Sequence, residues 1–306
     1  MSFLGKSAYK YIYKPILSPI NSNDGLVGHL KVLSGKKQMQ KAAKNLIIPD
    51  FKKIQTNITV VGVAGKGNWY QMIFCLYSLY KNLGFNLQTV IIDDGTIDKA
   101  VEIEIKKQVP FVTIIPHHEA DYKAKQFFNK DQYPAIASVL DKFVVFKKLF
   151  HARTLINGPA LILDADMLFY KTPEELIQWI NKPDKPVYMY DKHSIYGDQR
   201  EDLLNKLPIK PNVNTGIIGL NNDDFDFNQL EKLTAQYLNV DSLNYLMEQA
   251  LYAMYLTNRD AICLDPKDYE ILPSKAEAKK PTGVMHHFPT ENRQFYYRYA
   301  WRNVIN

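Results

Sequence analysis

The sequence predicts an α/β domain built on a mostly parallel, mixed sheet flanked by helices, and three observations carry that expectation. From residue 56 onward, apolar β-branched segments alternate with amphipathic helical ones, the order that makes βαβ units. The run Leu161-Ile162-Leu163 is apolar on both faces, as a strand covered above and below must be. That run then ends abruptly in Asp164-Ala165-Asp166, which sets two carboxylates at the carboxyl end of a strand, where sheets of this kind bind ligands.

Taken in order, residues 58–63 are β-branched and apolar and read as the first strand, followed by the loop Ala64-Gly65-Lys66-Gly67-Asn68. Apolar residues at Ile73, Leu76, Tyr77 and Tyr80 predict a helix over 69–83 that Gly84 ends. Residues 87–92 form the next strand, closed by Asp93-Asp94-Gly95. Helical periodicity over 139–151 carries Lys147 and Lys148 on a surface face and leads into the Asp164 strand. Thr172-Pro173-Glu174-Glu175 starts a helix, with proline in its first turn, that runs to about Ile180. A strand over 187–190 ends in Asp191-Lys192-His193. Within 211–220 the polar Asn214-Thr215-Gly216 precedes a short strand. Residues 243–256 read as a helix bearing Glu248-Gln249, and 284–288 as a strand bearing His286 and His287. No internal repeat or low-complexity tract interrupts this order.

A chain of 306 residues, 46% hydrophobic and 23% charged, has enough apolar material for one large domain and none of the bias of a disordered or fibrous protein. Its charge is unevenly placed. Residues 1–55 hold ten lysines against Asp24 and Asp50, a net +8, so the remaining chain is at −2 within the overall +6. The domain organisation expected is therefore a basic extension over 1–55 and a catalytic domain over 56–306. The extension opens with lysines interleaved among Phe3, Tyr9, Tyr11, Ile12, Tyr13, Ile16 and Leu17. That pattern suits a segment resting on anionic lipid, and equally an arm whose tyrosines pack on the domain. Nucleic acid is not an expected partner, because the rest of the chain is slightly acidic and carries no nucleic-acid-binding motif. No run approaches the ~18 uncharged apolar residues of a membrane span, and the amino terminus lacks a secretory h-region and cleavage site. The expected location is cytoplasmic, peripheral at the inner face of a membrane if the extension binds lipid. Cys75 and Cys263 form no ligand spacing and read as reduced core thiols.

The chemistry centres on Asp164 and Asp166. Side chains alternate along a strand, so the two carboxylates point the same way, about 7 Å apart along the backbone, and can converge on one hard divalent cation. Ala165, small and on the opposite face, does not obstruct them. The alternative is a pair of aspartates closing a turn. The Ala64-Gly65-Lys66 loop matches neither the P-loop nor the dinucleotide fingerprint; it is a candidate for phosphate contact or a plain strand-to-helix turn. Asp93 and Asp94 are candidates to accept from a base or ribose, and Asp-Gly is also an ordinary turn pair. Lys148, near a strand end, is a candidate for a diphosphate.

An apolar strand ending in Asp-x-Asp, then Asn214-Thr215-Gly216 on a later strand, Glu248-Gln249 on a helix and a late histidine together resemble the GT-A-fold, nucleotide-sugar-dependent glycosyltransferases. The likeness is to the glycogenin and bacterial galactosyltransferase group and covers roughly residues 56–290. The resemblance implies that Asp164, Asp166 and one of His286 and His287 hold Mn²⁺ or Mg²⁺ against the diphosphate of a UDP-sugar, His287-Phe288 matching the family's His-aromatic pair better. It implies that Glu248 or Gln249 faces the sugar, stabilising an oxocarbenium-like centre or acting on the acceptor hydroxyl, with Asp191 a second candidate base. The acceptor implied is a glycan or a lipid-linked sugar. The chain departs from the family after the histidines. In place of Gly and Lys-Pro-Trp it has Pro289-Thr290-Glu291-Asn292-Arg293, and Arg293 is the candidate to contact phosphate there.

Other classes share parts of this pattern. In haloacid-dehalogenase-type phosphatases the first Asp of DxD is a nucleophile, but the motif opens the core, whereas here a βαβ unit precedes it. A sugar nucleotidyltransferase needs a glycine-rich basic loop after the first strand, which Gly65-Lys66-Gly67 only faintly imitates. A non-catalytic sugar-nucleotide-binding scaffold need not keep a full ligand set.

Overall fold

In the computed structural model, which describes residues 25–49, 51 and 56–305, strand and helix alternate from Thr59 as the hydrophobic pattern predicts. The strands are β1 (Thr59–Ala64), β2 (Gln88–Asp93), β3 (Val112–Ile115), β4 (Pro159–Leu163), β5 (Met167–Phe169), β6 (Val187–Tyr190), β7 (Val213–Asn221), β8 (Ile262–Cys263), β9 (Tyr269–Ile271) and β10 (Met285–His287). Seven form a mixed, mostly parallel sheet in the order β3-β2-β1-β4-β7-β6-β8, and β5-β10-β9 form a second, small sheet. β4 lies between parallel β1 and antiparallel β7.

Both faces of the main sheet are covered, which is why β4 has no polar residue before Asp164. Leu161, Leu163 and Ala165 join one core cluster with Met72, Leu76 and other residues of the Trp69–Leu83 helix. Ala160 and Ile162 join Val61, Val90, Ile92 and Ala120 on the opposite side. Burying Leu161 and Leu163 contributes about 1.5–3 kcal/mol each. Gly84 ends the Trp69–Leu83 helix with φ 74°, its amide donating to Tyr80 O at 2.9 Å. That left-handed turn is one a side chain would strain.

Five expectations are corrected. Residues 139–151 are not one helix: Pro134–Val139 is helical, a turn follows, and a π-helical turn spans Lys147–His151 before a last α-turn, Ala152–Leu155. Lys147 and Lys148 are buried rather than solvated, because carboxylates from distant parts of the chain meet them. Asn214-Thr215-Gly216 lies inside the nine-residue β7 rather than before it. Cys263 is exposed, since β8 is an edge strand, and the helix bearing Glu248 starts at Met247.

Ahead of the sheet, the helix Gly25–Ala43 buries Gly28, Val32, Gly35, Met39 and Ala43. A side chain at Gly35 would collide with the carbonyl oxygen of Tyr297, so glycine permits the close approach to the π-helical turn Tyr296–Ala300. The aromatic and lysine-rich segment 3–17 lies outside the described residues. Among the described residues, no helix is long and apolar enough to cross a membrane.

Candidate active site

Asp164 continues the β4–β7 ladder by one bond, its amide donating to Gly216 O at 2.9 Å. Across β7, pairing with β6 slips between Tyr188 and Met189, from Ile218 to Asn214. That irregularity falls on Asn214-Thr215-Gly216 and re-aims their side chains at the end of the sheet, as bulges do. β5 then pairs antiparallel with β10, Met167 opposite His287, so the strand that follows the two aspartates also fixes the histidine beside them.

His287 Nε2 lies 3.2 Å from Asp166 Oδ1 and 3.7 Å from Asp164 Oδ2. The other oxygen of each carboxylate is taken: Asp164 Oδ1 accepts from Lys148 Nζ at 2.8 Å, and Asp166 Oδ2 from Arg293 Nη2 at 2.7 Å. Each aspartate therefore uses one oxygen for a fixed cation and turns the other toward the imidazole. The three facing atoms lie within 4.8 Å of one another, a donor set that fits a divalent cation. His286 is corrected as a ligand of this group. As the next residue of an extended strand it points the opposite way, its Nε2 3.5 Å from Glu277 and 3.8 Å from Glu270.

Burial alone would raise the Asp166 carboxyl, but the hydrogen bond and charge of His287 and the charge of Arg293 outweigh it and hold the group far below the usual carboxylate range. Burial likewise opposes the charge on Lys148, yet Asp164 and Glu248 overcome it and raise that ammonium above its ordinary value. Glu248 Oε1 is 3.5 Å from Lys148 Nζ, and Oε2 accepts from Thr215 Oγ1 at 2.9 Å. One ammonium cannot fully compensate both the half-buried Asp164 carboxylate and the buried Glu248 carboxylate. Asp164 takes the shorter contact, and burial, aided by Asp164 and opposed by Lys148 and Thr215, pushes Glu248 up to about 7.

Glu248 thus stands behind Lys148, while Gln249, half-buried, turns to Asp191. Asp191 Oδ2 accepts from Asn214 Nδ2 at 3.0 Å and from Gln249 Nε2 at 3.4 Å, and Oδ1 from the His193 amide at 3.0 Å. Asn214 Oδ1 accepts the Gly216 amide at 2.9 Å, which links the Asp191 group to the strand position opposite Asp164.

The first βα loop borders the same cleft. Val63, Asn68, Gln71, Val144, Lys148, Asp164, Ala165, Asp166 and Arg293 line a space of about 320 Å³. Asn68 Oδ1 accepts the Gly65 amide at 2.8 Å, and Ala64 O accepts the Asp94 amide at 2.9 Å. A side chain at Gly65 would collide with the Asp94 carboxylate. Lys66 is exposed and held by Asp98 at 2.7 Å, away from the lining residues. Asp93 is committed to its own turn, accepting from the Gly95, Thr96 and Ile97 amides and from His117. Burial tends to raise its carboxyl, and those donors lower it. Among the described residues, Asp94 accepts from Thr96 alone. One lining residue escaped the sequence reading. Gln71 has a buried Nε2 with no hydrogen-bond partner, and its only signal is a glutamine within the apolar first turns of the Trp69–Leu83 helix.

No protein-family model and no curated protein sequence matches the chain. Solved structures do. Mouse xyloside xylosyltransferase 1, in its apo form, superposes with a TM-score of 0.52 at 12% identity, covering 80% of this chain and 99% of that one. An active-site mutant of LgtC gives 0.52 at 11% identity, and the galactosyltransferase LgtC in complex with donor and acceptor sugar analogs gives 0.50 at 11%; each covers 76% of this chain and 87% of the other. At such identities the likeness is one of fold, and the fold is that of the GT-A-like glycosyltransferases.

Proposed function

We propose that the protein is a glycosyltransferase that moves a sugar from a nucleotide-sugar donor, a UDP-sugar, to a glycan or lipid-linked acceptor with the help of Mn²⁺ or Mg²⁺. Residues 56–306 form the catalytic domain of this reading and residues 1–55 its basic extension. The observation that carries it is the convergence of Asp164 Oδ2, Asp166 Oδ1 and His287 Nε2 at the end of β4, in a fold shared with sugar-transferring enzymes. Two carboxylates and an imidazole suit Mn²⁺ better than Mg²⁺, which prefers an all-oxygen shell. When bound there, the cation supplies Lewis-acid stabilisation for the charge that gathers on a diphosphate leaving group.

The chain's own residues supply the rest. Lys148 and Arg293 hold positive charge at the same edge without reorganising, so they favour the departing diphosphate over the intact donor. Glu248 acts through Lys148 as a positioning residue. Asp191 and Gln249, joined by a hydrogen bond, are assigned to the sugar or the acceptor hydroxyl. Asp94 is assigned to the nucleoside in preference to Asp93, whose acceptors are already engaged.

A thermal-shift series with UDP, GDP and CMP, each with and without Mn²⁺, tests this, because a ligand bound only by the native state raises the melting temperature by mass action. UDP should shift the transition only when Mn²⁺ is present, and the chain should release UDP from a UDP-sugar. No nucleotide shift under any metal, or release of inorganic phosphate instead, overturns the reading.

A second reading concerns location. On the Gly25–Ala43 helix, Leu26, Leu30 and Leu33 recur at helical spacing on the side opposite Gly28, Val32 and Gly35, each half or more exposed. Lys37 and Lys41 continue the same line, and residues 1–55 carry a net +8. An apolar stripe beside that charge suits the surface of an anionic membrane. In this reading the enzyme sits peripherally at the inner face of a membrane. Sedimentation with phosphatidylserine vesicles should fall in a Leu26→Glu/Leu30→Glu variant while donor hydrolysis in solution is unchanged. Equal sedimentation of the two proteins removes the idea.

A further inference from the structure

His286 is fully buried, and neither of its ring nitrogens has a hydrogen-bond partner. A buried imidazole normally satisfies at least one, since leaving a polar group unpaired costs about 1–3 kcal/mol. Nothing in the chemistry above uses it. Its surroundings say what would satisfy it. In the parallel β9–β10 pair, Glu270 is the register partner of His286 and so lies beside it on one face of the sheet. The short helix Lys275–Lys279, which joins β9 to β10, brings Glu277 over the same face.

His286 Nε2 is 3.5 Å from Glu277 Oε2 and 3.8 Å from Glu270 Oε2, and the three groups offer ligand atoms within 4.8 Å of one another. Those separations are too long for hydrogen bonds, which run at about 2.7–3.2 Å. They are close to the ~3.4 Å between two ligands that share a tetrahedral ion at about 2.0–2.1 Å. Both carboxylates are also fixed in place. Glu270 Oε1 accepts from Lys192 Nζ at 3.0 Å, leaving Oε2 toward the histidine. Glu277 Oε2, the atom that faces His286, accepts from the Thr282 amide at 2.9 Å, and Oε1 accepts from the Thr282 hydroxyl at 3.0 Å. Both glutamates are about a quarter exposed, which gives an ion a way in while the imidazole stays dry. The superficially similar group Asp121, Asp141 and His151 lacks this unmet demand: His151 Nε2 already bonds to Asp121 Oδ1 at 2.9 Å, and Lys147 and Lys125 pair with its two aspartates.

We propose that Glu270, Glu277 and His286 form a second divalent-cation site, of the Zn²⁺ type, on the reverse face of the strand that carries His287. One imidazole and two carboxylates, with a fourth position open to water, are a donor set Zn²⁺ accepts and for which its affinity exceeds that of Mn²⁺. The ion ties β9, the Lys275–Lys279 helix and β10 into one unit. β10 is the middle strand of the small sheet, so the site braces the backbone that positions His287. The assignment uses no residue of the cleft and stands whether or not the chain transfers sugars.

Zinc binding by the full chain tests it, in an Asp166→Asn background that weakens the cleft as a competing site. After equilibration with ZnCl₂ and dialysis, Asp166→Asn should keep one Zn²⁺ per chain by elemental analysis, and added Zn²⁺ should raise its melting temperature by roughly 5 °C. Adding Glu270→Gln and Glu277→Gln, near-isosteric changes at partly exposed positions, should abolish the retained zinc and the shift. His286→Gln in the same background should weaken Zn²⁺ at least about 10-fold by calorimetry. If Asp166→Asn retains no zinc, or if the glutamine variants bind it as tightly as their parent, the second site does not exist.

Discussion

Buried Lys148 and half-buried Asp164 form an ion pair, Nζ to Oδ1 at 2.8 Å, through the carboxylate oxygen that does not face His287. The lysine therefore compensates Asp164 without blocking its other oxygen. It is also the cation beside Glu248, so its loss strands two carboxylates at once. Lys148→Met should lower stability by about 3–5 kcal/mol, the cost of an uncompensated buried charge. Adding Glu248→Gln should recover part of that loss. Urea unfolding of the two single variants and the double variant measures it, and a double variant no more stable than Lys148→Met would show that the two residues are not coupled.

Glu248 gives the site a pH signature of unusual sign. Burial pushes its carboxyl up to about 7 from an ordinary 4.5, so between those values the folded chain keeps a proton that the unfolded chain has lost. Stability from this group is present at low pH and falls as pH rises through that window. Asp166 acts oppositely: its depressed carboxyl contributes stability above the ordinary carboxylate range and loses it in acid. Glu248→Gln cannot titrate, so with EDTA present its stability relative to the native chain should climb between about pH 5 and 7 and then level off. A flat difference across that interval would mean that Glu248 is ionised throughout.

What the sequence disclosed about this site follows from the range of the forces involved. The strand ending in Asp164 and the Trp69–Leu83 helix were legible because apolar period and a terminal glycine are local signals. The buried state of Lys148 was not, since a lysine defaults to solvent and it is Asp164, Thr215 and Glu248, the last 100 positions away, that reverse that default. Neighbouring Glu248 and Gln249 looked interchangeable on a helix. Tertiary packing alone sends one behind Lys148 and the other to Asp191. His286 and His287 were separable in principle by strand alternation, but which of them met the aspartates depended on the pairing of β10 with β5.

The two histidines should separate in metal titrations. His287 Nε2 faces both Asp164 and Asp166, whereas His286 lies on the other side of the strand. His287→Ala should raise the Mn²⁺ concentration needed for half-maximal donor hydrolysis at least about 10-fold, since loss of a direct ligand exceeds the effect of its neighbours. His286→Ala should move that concentration far less. The reverse ranking would exchange their assignments, and no response from either would remove histidine from the cleft.

A substitution that touches no ligand offers a sharper check on the same geometry. Gly216 lies opposite Asp164 on β7, and a methyl group there would stand 2.7 Å from His287 Nδ1, 2.8 Å from its Cε1 and 2.9 Å from Asn214 Oδ1. Atoms cannot remain that close, so in Gly216→Ala either the imidazole swings away from the two carboxylates or the Asn214 side chain gives up its bond to the Gly216 amide. The imidazole is the freer of the two, because its Nδ1 has no hydrogen-bond partner, whereas Asn214 is fixed at both ends. The variant should lose about 1–3 kcal/mol of stability to overpacking yet fold. Its Mn²⁺ requirement should rise toward that of His287→Ala, although all three ligand side chains are present. Adding Gly216→Ala to His287→Ala should then change the requirement little further, because the alanine would meet no ring. If the two substitutions instead acted independently on Mn²⁺, Gly216 would not be what lets His287 reach the aspartates.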